Sequence, residues 1–450
     1  MKPRTKLRTT RASGPALALL LLTLGTSLPA AGYGVKMSVE LSHGVLEAHR
    51  RQHAFLKVGL VGDGPREPSQ RAAVNVALVL DRSGSMAGGK LEQAKRAAIQ
   101  ALEGLGPEDI VSVVAYDTTV EVLVPATKLS DRAAVYRQIE QLRARGTTAL
   151  FAGVSKGAHE VLKFLSGRGV NRVILLSDGL ANVGPSSPGA LAELGTSLAK
   201  NGITVSTIGL GLGYNEDLMY RLAGASDGNH VFVEREDQLP AVFAREFGDM
   251  FAVVAGEVEL RIRCGKGIRP LRVLGRAARI IGDEVSVRLS QVQATVQKYV
   301  LLEVEVDPQP AGQTLTLAEI VLHYRSLDRE RAEQQSGRAQ IGFSAASEAV
   351  AASANRAVAV AVLEQLANDA TKQAVELRDA GRIAEARVLL KKNVGALKAS
   401  NQALKSKQLD ALEQDLATAA EGVDQPEAEW QRTRKVMRGQ QRRVESQQAF

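Results

Sequence analysis

The sequence predicts an α/β protein: a doubly wound, mostly parallel sheet inserted in an antiparallel β-sandwich, followed by a helical C-terminal segment. Three observations carry that expectation. Between Ala73 and about Ala255, short apolar runs alternate with stretches of helical period, as a sheet covered by helices on both faces requires. From Glu257 to Phe343 the helical period vanishes and strict apolar/polar alternation replaces it, the mark of half-exposed antiparallel strands. From Ser344 to about Gly422 the chain is rich in Ala, Leu and Gln at helical spacing. A length of 450 residues suggests two or three domains.

Residues 1–32 read as a secretory signal peptide. Lys2, Arg4, Lys6, Arg8 and Arg11 form a positive start, Ala16 to Leu24 an apolar run, and Pro29-Ala30-Ala31-Gly32 a small-residue cleavage site. The apolar run is short for a membrane span, and no Cys near the cleavage site offers a lipid anchor. The expected location is therefore outside the cytoplasm: periplasmic, cell-surface or secreted. Membrane association is expected only through the envelope environment or an uncleaved signal.

Residues 33–72 hold two strand patterns, Val35 to Leu41 and Phe55 to Leu60, ended by Gly62-Asp63-Gly64-Pro65. So few strands cannot bury a face alone, so they are expected to pair with residues 256–343 in one sandwich. Within residues 73–255, strands are expected at 74–80, 110–116, 119–124, 172–177, 203–209 and 230–233. Amphipathic helices are expected at 90–104, 131–143, 150–165, 188–200, 216–224 and 238–253. Runs such as Val173-Ile174-Leu175-Leu176 suit strands buried on both faces. In the sandwich, Val258 to Arg263, Glu284 to Leu289 and Leu301 to Val306 alternate strictly.

Residues 344–422 are expected to form a helical hairpin or a three-helix appendage, broken at Gly381. A single tetratricopeptide-like stretch around Gly381 to Leu390 lacks the repeats that a solenoid needs. Residues 423–450, Gln/Arg-rich and weakly apolar, are expected to be disordered, with Trp430 an isolated tail aromatic.

The net charge of +8 comes from the ends. The signal-like segment has five basic residues and no acidic one, and the tail from Asp424 has six basic residues against four acidic. The body is left near +1, which gives no support to a nucleic-acid surface. Cys264 is the single cysteine, so no internal disulfide can form.

Residues 74–90 are the most informative stretch, and they admit two readings. Gly84, Gly89 and Lys90 have the spacing of a phosphate-binding loop, G-x-x-x-x-G-K, and Val173 to Asp178 imitates a strand ending in a magnesium-binding Asp. The failing position is Leu91, where such a loop needs a Ser or Thr hydroxyl to hold Mg²⁺. The second reading is a metal site. In a doubly wound sheet, ligands bind beyond the C-terminal ends of the strands, where strand order reverses. Asp81, Ser83 and Ser85 follow the first strand, Asp178 follows the fourth, and Thr148 stands just before a helix. These loops offer two carboxylates and three hydroxyls to one point. Mg²⁺ prefers six oxygens. Neutral hydroxyls would leave it under-neutralised and able to attract a carboxylate from outside.

Asp81-x-Ser83-x-Ser85, with Thr148 and Asp178-Gly179, resembles the complete metal-ion-dependent adhesion site of von Willebrand factor type A domains. Ala152-Gly153-Val154, Asn182, Ile208-Gly209-Leu210-Gly211 and Tyr214 to Leu218 extend the likeness to bacterial members, over about residues 73–255. The resemblance implies that Ser83 and Ser85 bind the ion directly and that Thr148 does so in a ligand-ready state. It further implies that Asp81 and Asp178 act largely through water, and that Asp or Glu of a protein partner completes the site. Mg²⁺ is the expected ion, with Mn²⁺ or Ca²⁺ as substitutes. Arg82 occupies a position variable in that family. Spacing to Ala152-Gly153 favours Thr148 over Thr147, and Lys90 is left as an ordinary start-of-helix residue.

Other candidates carry less. Asp117, after the second strand, is read as a turn residue in preference to one that stands behind the site. Gly209, Gly211 and Gly213 lack G-x-G-x-x-G spacing. His43, His49 and His53 cannot all face one point on alternating strands, so solvent-facing histidines are expected. No nucleophile-base pair can be placed, and no G-x-S-x-G elbow occurs. The function expected is a binding module rather than an enzyme. A scaffold with a dispensable metal site is the alternative, and a nucleotide hydrolase built on Gly84 to Lys90 the more distant one.

Overall fold

The computed structural model describes residues 34–63, 71–165, 167, 169–294 and 296–447. The signal-like segment lies outside them. Two sheets, each holding strands from both sides of the α/β region, enclose one core. The first has the order β1-β3-β14-β11 and comprises β1 (Val35–Leu41), β3 (Gln52–Gly62), β14 (Lys298–Val306) and β11 (Ile268–Leu274). Antiparallel β3 and β14 set Leu60 opposite Lys298 and Gln52 opposite Val306. The second has the order β12-β13-β10-β15-β16-β2: β12 (Arg279–Ile281), β13 (Glu284–Gln293), β10 (Val253–Cys264), β15 (Thr314–Ser326), β16 (Arg331–Ser344) and β2 (Val45–Glu47). The alternating residues face inward together: Leu56, Val58 and Leu60 from one sheet, with Val258, Leu260, Ile262, Val285, Val287 and Leu289 from the other. Each such buried side chain contributes about 1.5–3 kcal/mol relative to exposure.

Between β3 and β10 the chain forms a third sheet, of order β6-β5-β4-β7-β8-β9. Its strands are β4 (Val74–Asp81), β5 (Ile110–Tyr116), β6 (Val120–Lys128), β7 (Val170–Ser177), β8 (Ile203–Leu210) and β9 (His230–Val233). All neighbours are parallel except β5 and β6. The covering helices are α1 (Gly89–Leu102), α2 (Arg132–Glu140), α3 (Leu150–Leu162), α4 (Pro188–Lys200), α5 (Glu216–Ala225) and α6 (Leu239–Phe251). β4 is buried along its whole length and divides its side chains between two cores. Val76, Leu78 and Leu80 meet Leu91, Leu102, Phe243 and Phe247; Ala77 and Val79 meet Val154, Val161 and Leu222. Gly157 lets α3 lie close on the sheet, for a Cβ there would stand 2.4 Å from Val79 Cγ2. From β4 the chain runs to β5 and β6 on one side and to β7 on the other. The crevice of a doubly wound sheet therefore opens at the end of β4.

The C-terminal segment is larger than expected: α7 (Ser347–Ala352), α8 (Arg356–Asp379), α9 (Ile383–Leu404), α10 (Lys407–Gly422) and α11 (Glu427–Ser446). The expectation of a disordered tail over residues 423–450 is corrected by α11. Trp430 is 1% exposed and shares a core with Val375, Leu390, Leu416 and Met437. Trp430, Met437 and Val444 are buried at seven-residue spacing, so three apolar residues suffice to seat the helix. The neighbouring face is filled by charge pairs: Lys435 Nζ donates to Tyr214 O (3.0 Å) and Glu216 Oε2 (2.5 Å). Arg438 Nε donates to Asp217 Oδ1 (2.9 Å), Arg442 Nε to Gly228 O (2.7 Å), and Arg434 reaches Glu216, Asp217 and Asp379. Among the described residues, no helix is long and apolar enough to cross a membrane.

Candidate metal centre

Three loops meet at the C-terminal end of β4. The first begins with Asp81, fully buried, whose Oδ1 accepts from the Ser83 amide (2.8 Å) and Oδ2 from Ser177 Oγ (2.6 Å). A short 3₁₀ turn, Gly84–Met86, carries Met86 into the core and so fixes the loop. Ser83 Oγ and Ser85 Oγ lie 3.0 Å apart. Gly84 N donates to Gly146 O (3.0 Å), fastening the first loop to the second.

The second loop turns at Gly146 (φ +69°), where a Cβ would stand 2.6 Å from Thr118 Oγ1. It buries Thr148 and leaves Thr147 exposed. Thr148 N donates to Asn182 Oδ1 (2.8 Å), while the Thr147 hydroxyl bonds that of Thr118 (3.0 Å). Thr148, not Thr147, therefore belongs to the cluster. In the third loop Asp178 is buried; its Oδ1 accepts from Ser85 Oγ (2.6 Å). Gly179 then forms a floor. A Cβ there would lie 2.9 Å from Thr148 Oγ1, 3.3 Å from Ser85 Oγ and 3.8 Å from Ser83 Oγ. All five residues singled out in the sequence are thus brought together.

Burial governs the electrostatics of the cluster. Burial raises the Asp81 pKa above its ordinary value, Ser177 and Ser83 pull it back by hydrogen bonding, and the charge of Asp178 raises it again. Two close carboxylates and three hydroxyls converging over Gly179 are a hard-oxygen donor set that fits a small divalent ion. Among the described residues, no group of three or more His, Cys, Asp or Glu could hold a metal. Any site here depends on its hydroxyls. His53 is engaged instead with Glu303, its Nδ1 2.8 Å from Oε1.

Three residues around the site do more than the sequence assigned to them. Lys90 is not an ordinary start-of-helix residue: its Nζ lies 2.5 Å from Asp178 Oδ2. The signal that could have found it is a lysine in the first turn of a helix, where the helix dipole disfavours a cation. Asp117 does more than turn the chain. Its Oδ1 accepts from Thr119 N (2.8 Å), and its Oδ2 from Arg82 Nε (2.7 Å) and Arg145 Nε (2.9 Å). Burial alone would raise the Asp117 pKa, but Arg145, Thr119 and Arg82 hold it well below the usual carboxylate range. Arg82, almost wholly buried, thereby braces the first loop to the β5–β6 turn. No local pattern announces that pair, because its partners are 35 residues apart. In the competing reading Lys90 would face a phosphate; here it faces Asp178, and Leu91 is buried in the core.

Comparison with known proteins bears on the fold that carries these loops. Residues 75–245 match the model of the von Willebrand factor type A domain. The inserted α/β region thus has the fold of a von Willebrand factor type A domain. Over 181 residues, 40% of its length, the chain is 32% identical to uncharacterized protein sll0103 of Synechocystis sp., covering 42% of that protein. Over 213 residues, 47% of its length, it is 28% identical to uncharacterized protein YfbK of Escherichia coli, covering 37% of it. The chain thus spans about two-fifths of the length of these curated relatives. A solved von Willebrand factor type A structure from Catenulispora acidiphila shares the fold over most of both chains: TM-score 0.64, 19% identity, 84% of this chain and 90% of that one.

Proposed function

We propose that this protein is an exported binding module that captures a partner protein through a Mg²⁺-assisted site. The observation that carries the reading is the convergence of Ser83, Ser85 and Thr148 hydroxyls over Gly179, beside buried Asp81 and Asp178. Ser83, Ser85 and Thr148 would hold the ion, with Asp81 and Asp178 supplying its negative surroundings. When bound, the ion supplies a positive centre for an Asp or Glu carboxylate of the partner. The chain's own contribution is positioning. The Gly84–Gly146 hydrogen bond and the Arg82–Asp117–Arg145 brace hold two loops together, and Asn182 fixes the backbone of Thr148 against the third. No nucleophile with an associated base is needed for such a role, and the reading is of a non-enzyme.

The test is a pull-down from the native cell envelope with the full chain, in Mg²⁺ and in EDTA, repeated with Asp81→Ala. Capture that is lost in EDTA and in the variant supports the proposal. Capture indifferent to EDTA and to Thr148→Ala would instead identify a scaffold with a dispensable metal site.

A further inference from the structure

Lys90 is the residue in this site whose placement neither helix formation nor core packing explains. It stands at the second position of α1, where the N-terminal end of the helix dipole disfavours a positive side chain. Its side chain is about one-third exposed, so no apolar burial holds it there. Its Nζ is nevertheless directed to Asp178, 2.5 Å from Oδ2, and lies 3.4 Å from Ser85 O. Asp178 thereby divides its two oxygens: Oδ1 takes the Ser85 hydroxyl and Oδ2 takes the Lys90 ammonium.

The charges have a consequence for binding. Asp81 and Asp178 are two negative charges, which a divalent ion alone would neutralise. Lys90 adds a positive charge of its own, so the loaded site keeps an excess of one, which a single outside carboxylate removes. Without Lys90 the loaded site would already be neutral, and an incoming carboxylate would make it negative. Glu236, whose carboxylate lies close to Gly89 at the foot of α1, lowers the total by one in both cases, so what Lys90 sets is the one-charge difference between them.

We infer that Lys90 is a built-in counter-cation that shares Asp178 with the ion. It weakens binding of the ion alone and strengthens the preference of the loaded site for an outside carboxylate. This rests on the metal reading of the site and adds a residue that sets its partner chemistry.

The experiment is isothermal titration of Mg²⁺ into the full chain, for wild type, Lys90→Met and Lys90→Arg, without and with acetate as the carboxylate probe. Removing a like charge so near the ion should tighten Mg²⁺ binding by about tenfold in Lys90→Met. Lys90→Arg should stay near wild type. Acetate should strengthen Mg²⁺ binding to wild type more than to Lys90→Met. Equal or weaker Mg²⁺ binding by Lys90→Met, or an equal acetate effect in both, overturns the inference while leaving the metal site intact. Absence of Mg²⁺ binding in wild type overturns the site reading itself, and this inference with it. Thermal melts in EDTA accompany each titration, because a merely structural ion pair would change the melting temperature and leave Mg²⁺ affinity unmoved. Should Lys90→Met fold poorly, Lys90→Gln makes the same comparison.

Discussion

The three-loop site and the α11 interface are both buried, charged and assembled from distant parts of the chain, yet they settle their charges in opposite ways. On α11 the cations are matched closely: Lys435 with Glu216, Arg438 with Asp217, Arg434 with Glu216, Asp217 and Asp379, and Arg442 with Glu445. At the end of β4, Asp81 accepts from the Ser177 hydroxyl and Asp178 from the Ser85 hydroxyl and the Lys90 ammonium, with the Ser83 and Thr148 hydroxyls beside them. The first arrangement sets each of these cations against a carboxylate of the protein itself. The second is rich in acceptors, and its remaining capacity is what a cation would use.

Breaking the completed side should cost most. Trp430→Ala is expected to destabilise the protein by about 3–5 kcal/mol in urea unfolding, the usual cost of removing a buried Trp. A loss near zero would mean that α11 is not seated. Next, Lys435→Met leaves Glu216 with Arg434 alone. It should cost about 2–3 kcal/mol, somewhat below the loss for a wholly orphaned buried charge, and the same unfolding curves would show it.

The two regions also differ in how they read from sequence. The parallel sheet was legible because its strands are uninterrupted apolar runs, such as Val173 to Leu176. The five site residues were legible because each follows a strand or precedes a helix in a short, distinctive motif. α11 was not. Its buried face contains Lys435, Arg438, Gln441 and Arg442 as well as Trp430 and Met437, so composition disguised it as a solvated tail. The stripe Trp430, Met437, Val444 was the one available signal, and its meaning depends on carboxylates more than 200 residues away. Lys90 was missed for a related reason, since its partner Asp178 is 88 residues downstream.

A pH titration sharpens the comparison further. His230 is buried beneath α11, its Nδ1 2.9 Å from Thr207 Oγ1. Burial first, and then the charges of Arg442, Lys435 and Arg438, push its pKa down from 6.5 to about 3. The unfolded chain therefore takes up the proton first. The stability that His230 contributes is full above its ordinary pKa and is lost as pH falls from 6.5 toward about 3. The loss should be about 1.4 kcal/mol per pH unit, or roughly 2 kcal/mol by about pH 5. His230→Gln should flatten that slope; an unchanged slope would assign the acid sensitivity elsewhere.

The smallest expected change in stability belongs to the site itself, and the largest change in binding. Titration of Mn²⁺, with free ion followed by electron paramagnetic resonance, tests the central claim on wild type and Thr148→Val. The account predicts one site per chain in wild type, its loss in Thr148→Val, and unfolding energies that agree within about 1 kcal/mol, as the loss of a single hydroxyl allows. Equal Mn²⁺ binding by both proteins, or none by wild type, would contradict it.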